Sequence, residues 1–353
     1  MKTKKKYIRL EFLIGYKGDG LRERILDILR KNKKNTISGE FLAEELGISR
    51  TAVWKHINQL KKQGYNIISQ YGSGYRLVQN FDVLNSSEIS YELKSKYLGS
   101  RIKYFPEIDS TNFYAKRWAI NGCEEGTVVV AGAQKFGRGR LGRLWDSPPG
   151  KGIWMSVVLR PEIAPADAQI LTLAASCAVK ASIEQIADIK MGLKWPNDLI
   201  LDEKKASGIL AEIDAEIEKV NFIVLGIGIN VFQEKDDFPI EIRKSATSLK
   251  MFCENRGINA TLNRAEIIKR ILFELEKRYD KVKNGELTDI IKEWKESSVT
   301  LGRAVKFKIK NTQYEGVAED INEKGMLVIK CGEKEKIEIL SGEISVRGLM
   351  GYI

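Results

Sequence analysis

The chain has 353 residues, 43% of them hydrophobic, which is enough for two or three domains with real cores. Its longest apolar stretch, Ile223 to Phe232, is about half of the roughly 20 residues that a membrane-spanning helix needs, and the start carries no apolar run with a cleavage site. The net charge of +11 is unevenly spread, because residues 1–80 hold 17 Lys+Arg against 7 Asp+Glu while the rest hold 41 against 40. A cytoplasmic setting without a membrane is expected. The concentrated positive field suits a polyphosphate partner, which gains by releasing counterions, or else makes a solvated basic surface.

Cys123, Cys177, Cys253 and Cys331 are scattered without a CxxC pair, so buried free thiols are expected rather than zinc ligands or disulfides. A single histidine, His56, rules out a cluster of imidazole ligands and leaves any Ser/His/Asp triad dependent on that residue alone. No resident metal site is expected.

Residues 1–20 read as a basic tail. Leu21 to Asn32 places Ile25, Leu26, Ile28 and Leu29 near the helical period. Ser38 offers the N-cap of a second short helix with Phe41, Leu42 and Leu46 inward, and Gly47 ends it. Ser49 caps a third helix whose apolar stripe is Val53, Ile57 and Leu60, with Arg50, Thr51, Trp54, Lys55 and Asn58 on the other face. Ile67 to Gln70 and Tyr75 to Val78 are strand-like, and Tyr71-Gly72-Ser73-Gly74 joins them as a hairpin. Residues 21–80 therefore read as a winged helix-turn-helix. Its third helix is expected to enter a major groove with Arg50, Thr51, Trp54, Lys55 and His56 near phosphates or base edges; a helical protein-interaction module is the other reading.

From Phe81 helices and strands alternate, giving an α+β chain. Asp109-Ser110-Thr111-Asn112 caps a helix to about Ile120, Gly126 to Gln134 is a β-branched strand, and Ala166 to Ala187 is a long helix. Strands are expected at Ile153 to Leu159, Gly192 to Lys194, Ala206 to Asp214 and Phe222 to Val231, the last two forming a hairpin across residues 216–219. Gly137, Gly139 and Gly142 spell GxGxxG, but Asp146-Ser147-Pro148-Pro149-Gly150 follows, and the dinucleotide fingerprint must open a helix. A flexible loop is expected instead. Three glycines interleaved with Arg138, Arg140 and Arg143 suit closure of backbone N–H groups and guanidinium forks around a carboxylate and a triphosphate. Lys194-Trp195-Pro196-Asn197-Asp198 sets a cation, an amide and a carboxylate in a turn at a strand end. Lys205 opens a small-residue strand that contains Gly208, and Gly226-Ile227-Gly228-Ile229-Asn230 ends another in an amide. Helices at about 263–283 and 288–297 lead into a strand-rich end, Ala304 to Ile353, which reads as a small barrel.

Taken in this order and spacing, GRGRLGR (137–143), KWPND (194–198), KKASGIL (204–210) and GIGIN (226–230), with STN (110–112) upstream, resemble the biotin protein ligases over about residues 21–353. The winged helix makes the chain similar to the bifunctional form that also represses biotin-synthesis genes. The resemblance implies a class II synthetase-like catalytic domain over 81–300 and an SH3-like domain over 301–353, which Leu340-Ser341-Gly342-Glu343 and Val346-Arg347 suit. In that family the biotin carboxylate attacks the α-phosphate of ATP, and a lysine of biotin carboxyl carrier protein then attacks the resulting anhydride; no covalent enzyme intermediate is needed.

By motif, Ser110, Thr111, Asn112, Gln134, Arg138, Gly139, Arg140, Lys205 and Gly208 are implied at the biotin end. Arg140, Arg143, Trp145, Lys194, Asn197 and Asn230 are implied at ATP. Lys205, Arg140 and Asp198 are implied in catalysis, Lys205 bridging carboxylate and phosphate and Asp198 serving the acceptor lysine. Mg²⁺ is implied only with phosphate oxygens completing the shell of Asp198 and Asn197. Operator DNA and a homodimer formed with adenylate bound are the implied partners. Two other classes are a lipoate-type ligase, whose relatives lack the winged helix and the arginine loop, and a biotin-sensing transcription factor without transferase activity.

Overall fold

The computed structural model describes residues 20–32, 35–70, 72–78, 82–309, 312–332, 335–341 and 347–348. Of the expected tail over 1–20, Gly20 already opens the first helix, and residues 1–19 lie outside the described residues, as do the hairpin residue Tyr71, Phe81, and the C-terminal Gly342, Glu343 and Val346. Two compact units part between Val83 and Leu84.

In the first unit, α1 (Gly20–Lys31), α2 (Gly39–Leu46) and α3 (Arg50–Lys62) precede the antiparallel pair β1 (Ile67–Gln70) and β2 (Gly74–Leu77). Ser38 Oγ accepts from Phe41 N and Ser49 Oγ from Ala52 N, so each inner helix begins at the expected cap. Gly47 closes α2 with φ of 66°, a left-handed residue that turns the chain into α3. Ile25, Leu26, Leu29, Leu42, Val53, Ile57 and Leu60 form one core, each contributing about 1.5–3 kcal/mol by burial. Phe41 departs from the expectation of an inward side chain, being 48% exposed. Helix α2 has two turns, and Leu42 and Leu46, four apart, already fill its buried face; Phe41 stands about 100° round the helix from Leu42.

The second unit is built on a seven-stranded sheet ordered β3-β4-β5-β9-β8-β7-β6. Here α4 (Ser86–Ser90), β3 (Ile102–Phe105), α5 (Thr111–Ile120), β4 (Val128–Ala131) and β5 (Gly152–Leu159) come first. Next are α6 (Gln169–Ala187), β6 (Gly192–Lys194), β7 (Asp198–Leu201), β8 (Lys204–Ala215) and β9 (Val220–Asn230). Helices α7 (Leu249–Arg256), α8 (Arg264–Lys283) and α9 (Thr288–Glu296) complete the set. Only β3 and β4 run parallel; the other neighbours are antiparallel. Val128, Val130, Val157, Leu225 and Ile227 face a large core that includes α6 and α8, while Val129, Val158, Phe222 and Val224 face α5. Strands covered on both sides read as near-continuous apolar runs, which is why β4, β5 and β9 are legible in sequence.

The 165–187 segment is long and apolar enough by length and composition to cross a membrane, which makes it more span-like than Ile223 to Phe232, yet 72% of its apolar window is buried inside the unit. It is a core helix. Cys177 and Cys253 are buried, and burial pushes the Cys177 thiol well above its ordinary range; Cys123 and Cys331 are only half-buried, contrary to the expectation for all four.

The chain ends in a five-stranded antiparallel sheet, ordered β13-β12-β11-β10-β14. Its strands are β10 (Ala304–Ile309), β11 (Thr312–Ile321), β12 (Leu327–Cys331), β13 (Glu335–Ile339) and β14 (Arg347–Gly348). Val305, Phe307, Ala318, Ile321, Leu327 and Ile329 share the large core, and polar contacts add to the junction. Gln169 Nε2 and Trp195 Nε1 both donate to the carbonyl of Gly325, at 2.7 and 3.1 Å, and Ser341 N donates to Gln169 Oε1 at 2.9 Å.

Candidate active site

A cavity of about 550 Å³ opens on the large sheet, and every residue singled out by motif for a small-molecule role lines it. Four separate stretches of chain converge there. Thr111 and Asn112 come from the first turn of α5, capped by Ser110; the arginine loop folds over from the end of β4; residues 194–198 form the turn between β6 and β7; and Lys205, Gly208 and Asn230 come from β8 and β9.

The glycines of β8 and β9 have a steric purpose. Gly208 and Gly228 are cross-strand partners, and a Cβ on either would meet the Trp145 indole at 2.8 or 2.7 Å. Their absence of side chains makes a slot in which Trp145 lies, edge-on to Trp154 with ring centroids 6.4 Å apart and with Lys205 Nζ 5.1 Å from its own ring centroid. Lys205 Nζ also pairs with Asp198 Oδ1 at 2.5 Å. The cation is thus held over an aromatic face and beside a carboxylate at the mouth of the 194–198 turn.

The arginine loop is folded back on itself rather than extended. Gly139 N donates to Arg143 O and Trp145 N to Gly137 O, each at 2.8 Å, with a short 3₁₀ turn at Arg140–Gly142 in which Leu141 has φ of 56°. Arg140 Nη1 donates to Asn197 Oδ1 at 3.3 Å, and its Nη2 donates to the carbonyl of Ser341. Burial pulls the Arg140 guanidinium below its ordinary range; Asp198 opposes that shift and Arg143 adds to it. Arg138 and Arg143 are exposed, Arg138 lying 5.9 Å from the centroid of the Phe113 ring. Asn197 Nδ2 donates to Ile209 O at 2.7 Å, and Lys194 is buried at the base of the turn.

At the opposite end Thr111 N donates to Gln134 Oε1 at 2.8 Å, and Gln134 Nε2 donates to Ser147 Oγ at 2.9 Å. Three residues that motif reading passed over support this geometry: Ser156 and Glu212 behind Asn112, and Gln233, whose Nε2 donates to Asn230 Oδ1 at 2.9 Å while Asn230 Nδ2 donates to Thr247 O. Ser156 and Glu212 signal only as polar residues on strands, Ser156 inside the apolar β5, and Gln233 follows β9 in a loop. Among the described residues no group of three or more His, Cys, Asp or Glu converges as a metal site. In the N-terminal unit Arg50, Thr51, Trp54 and Lys55 are exposed together on α3, and His56 is half-buried on it.

Residues 104–230 match the Biotin/lipoate A/B protein ligase family, residues 21–76 an HTH domain, and residues 300–347 the Biotin protein ligase C terminal domain. The Bifunctional ligase/repressor BirA of Bacillus spizizenii is 39% identical over 92% of this chain and 98% of its own length. That of Escherichia coli is 31% identical over 88% of this chain and 92% of its own length. Among solved structures, a biotin protein ligase from Aquifex aeolicus in complex with biotin and ATP is similar with a TM-score of 0.60 and 32% identity, covering 70% of this chain and 99% of that one. The chain belongs to the biotin protein ligase family. Its N-terminal helix-turn-helix aligns it with the bifunctional ligase/repressors within that family.

Proposed function

We propose that this chain joins biotin to ATP in the cavity above the large sheet, transfers the biotinyl group to a lysine of a carboxyl carrier protein, and binds operator DNA through α3. The observation that carries the reading is the convergence of Lys205, Asp198, Arg140, Asn197 and Trp145 on one cavity from distant parts of the sequence. A carboxylate oxygen of biotin attacks the α-phosphorus and pyrophosphate leaves; the neutral amine of the acceptor then attacks the acyl carbon, and AMP leaves. Both steps build negative charge on phosphoryl or carbonyl oxygen. Fixed cations in a partly desolvated site stabilise that charge without reorganisation.

Lys205 is assigned to the bridge between carboxylate and α-phosphate, and Arg140 to closing the loop over the anhydride. Asp198, paired with Lys205, is assigned to the acceptor amine. The Thr111 and Gln134 end is assigned to the ring system of biotin, and the Asn197 and Asn230 end to the base of ATP. Mg²⁺ fits only as an ion carried in by the phosphates, because the Asn197 amide is engaged with Arg140 and Ile209 and the Asp198 carboxylate with Lys205. Those two residues do not form a cation site by themselves. A reaction that consumes ATP fits the cytoplasm, and dimerisation with adenylate bound would couple the cavity to DNA binding.

Pyrophosphate release tests the ligase assignment: it is expected with biotin plus ATP and not with lipoate or octanoate plus ATP. Arg140→Ala is expected to raise the KM for biotin roughly 10- to 100-fold, the worth of a charge-assisted contact, and to shorten retention of labelled adenylate on gel filtration. Retention equal to that of the unaltered protein would remove Arg140 from the closing role. On the DNA side, Arg50→Ala and Lys55→Ala are each expected to weaken operator binding and to lower the salt slope by about one, the signature of one lost phosphate contact. Operator titration at two salt concentrations measures both, with biotin adenylation unchanged as the control.

A further inference from the structure

At the Asn230 end of the cavity three amide groups stand in a row. Thr247 N donates to Lys205 O at 3.0 Å, which fixes the Thr247 peptide against β8. Asn230 Nδ2 donates to Thr247 O at 3.0 Å, and Gln233 Nε2 donates to Asn230 Oδ1 at 2.9 Å. Ser248 Oγ donates to Gln233 O at 2.6 Å and so pins the backbone from which that side chain springs. Lys205, Asn230 and Gln233 line the cavity; Gln233 is 1% exposed, and its Oε1 is buried without a hydrogen-bond partner among the described residues. We infer that Gln233 is a specificity-determining residue for the nucleotide, its Oε1 accepting an N–H of the 6-amino group of adenine. The inference deepens the assignment of this end to the base of ATP and rests on it.

Which end of each side-chain amide is oxygen follows from a backbone group. A peptide carbonyl can only accept, so Asn230 turns its NH₂ to Thr247 and its oxygen to Gln233. That oxygen likewise only accepts, so Gln233 turns its NH₂ to Asn230 and carries its own oxygen at the far end of the row. The row contains no hydroxyl, and so no proton that could be shared either way.

A buried acceptor left without a donor is costly, and native interiors leave few of them. Trp145 Nε1 and Trp154 Nε1 are also buried without partners among the described residues, and both residues line the cavity, but an indole N–H donates. Of these three atoms Gln233 Oε1 is the one that asks for an N–H from a ligand. The amino group of adenine offers two. The 6-oxo group of hypoxanthine would instead set oxygen against oxygen, and a purine with hydrogen at C6 would leave the Gln233 oxygen unpaired. The expected order of use is ATP, then the unsubstituted purine nucleotide, then ITP.

Pyrophosphate release by the full-length protein is measured at saturating biotin with ATP, purine ribonucleoside triphosphate and ITP. The unaltered protein is expected to show a KM for the purine nucleotide about tenfold above that for ATP, the scale of one buried hydrogen bond, and a higher KM again for ITP. Gln233→Met, of similar length without the amide, is expected to raise the KM for ATP and to bring the ATP and purine values within about twofold of each other. Equal KM values for ATP and the purine nucleotide in the unaltered protein overturn the proposal, and so does a preference for the amine that survives in Gln233→Met. The comparison of nucleotides on the unaltered protein stands even where the variant does not fold. Asn230→Ala separates the levels. If neither it nor Gln233→Met changes the KM for ATP, the assignment of this end to the base fails; if Asn230→Ala raises that KM while Gln233→Met keeps the full preference for the amine, only the Gln233 contact fails.

Discussion

Lys205→Ala is expected to lower the rate of pyrophosphate release with biotin and ATP by about 10²–10³-fold, the range for removing one fixed group that stabilises developing charge. Lys205 Nζ sits 2.5 Å from Asp198 and 5.1 Å from the centroid of the Trp145 ring, and the residue lines the cavity. Alanine also takes Lys205 away from Asp198. With side-chain exposures of 27% and 15%, the pair is only partly screened, and losing its cation is expected to cost about 1–3 kcal/mol of stability. The double variant Lys205→Ala with Asp198→Asn distinguishes the two losses. Thermal denaturation should return close to the original midpoint, whereas pyrophosphate release should not recover. Recovery of both would mean that Lys205 is needed only to neutralise Asp198.

Gly226→Ala is expected to weaken biotin binding by roughly 100-fold and to cost about 1–3 kcal/mol of stability, the usual range for overpacking a filled interior. An added Cβ would stand 2.2 Å from Asn112 Oδ1 and 2.9 Å from its Cγ. Neither partner has room to give: Asn112 is tied to Ser156 and Glu212, and Gly226 is central in the sheet, paired with Ser156 on β5 and Leu210 on β8. The clash is relieved only if Asn112 abandons its bonds and intrudes on the Thr111 end. Gly228→Ala, two residues on, collides with Trp145 instead and is expected to raise the KM for ATP more than that for biotin. Calorimetric titration of both variants with each substrate checks the contrast. Equal losses for both substrates in both variants would mean that the cavity simply collapses.

Much of the fold and all of the converging motif residues were legible in the sequence, for reasons tied to particular positions. Ser38, Ser49 and Ser110 mark their helices because an orphan backbone N–H needs a nearby side-chain oxygen. The strands β4, β5 and β9 show as apolar runs because helices cover both of their faces. Among the elements not named from sequence are α4, α7 and β7, of five, eight and four residues, although α2 and β6, no longer than α7 and β7, were. The arginine loop reads as flexible from its glycines, yet its backbone bonds to itself through Gly137, Gly139, Arg143 and Trp145, contacts that depend on which carbonyls come close after the turn at Leu141. Ser156, Glu212 and Gln233 were silent for a related reason. A single polar residue carries no spacing pattern, and its meaning appears only when strands far apart in sequence lie side by side.

The carbonyl of Gly325 receives protons from both Gln169 and Trp195, one at the start of α6 and the other beside the Asn197 turn. Removing the last fifty or so residues would therefore leave an indole and an amide in the interior with nothing to bond, beside the Asn197 end of the cavity. The terminal sheet and the large one are accordingly expected to melt in a single step. A shortened chain would lose its catalytic floor along with its tail, even though every motif residue stayed in place.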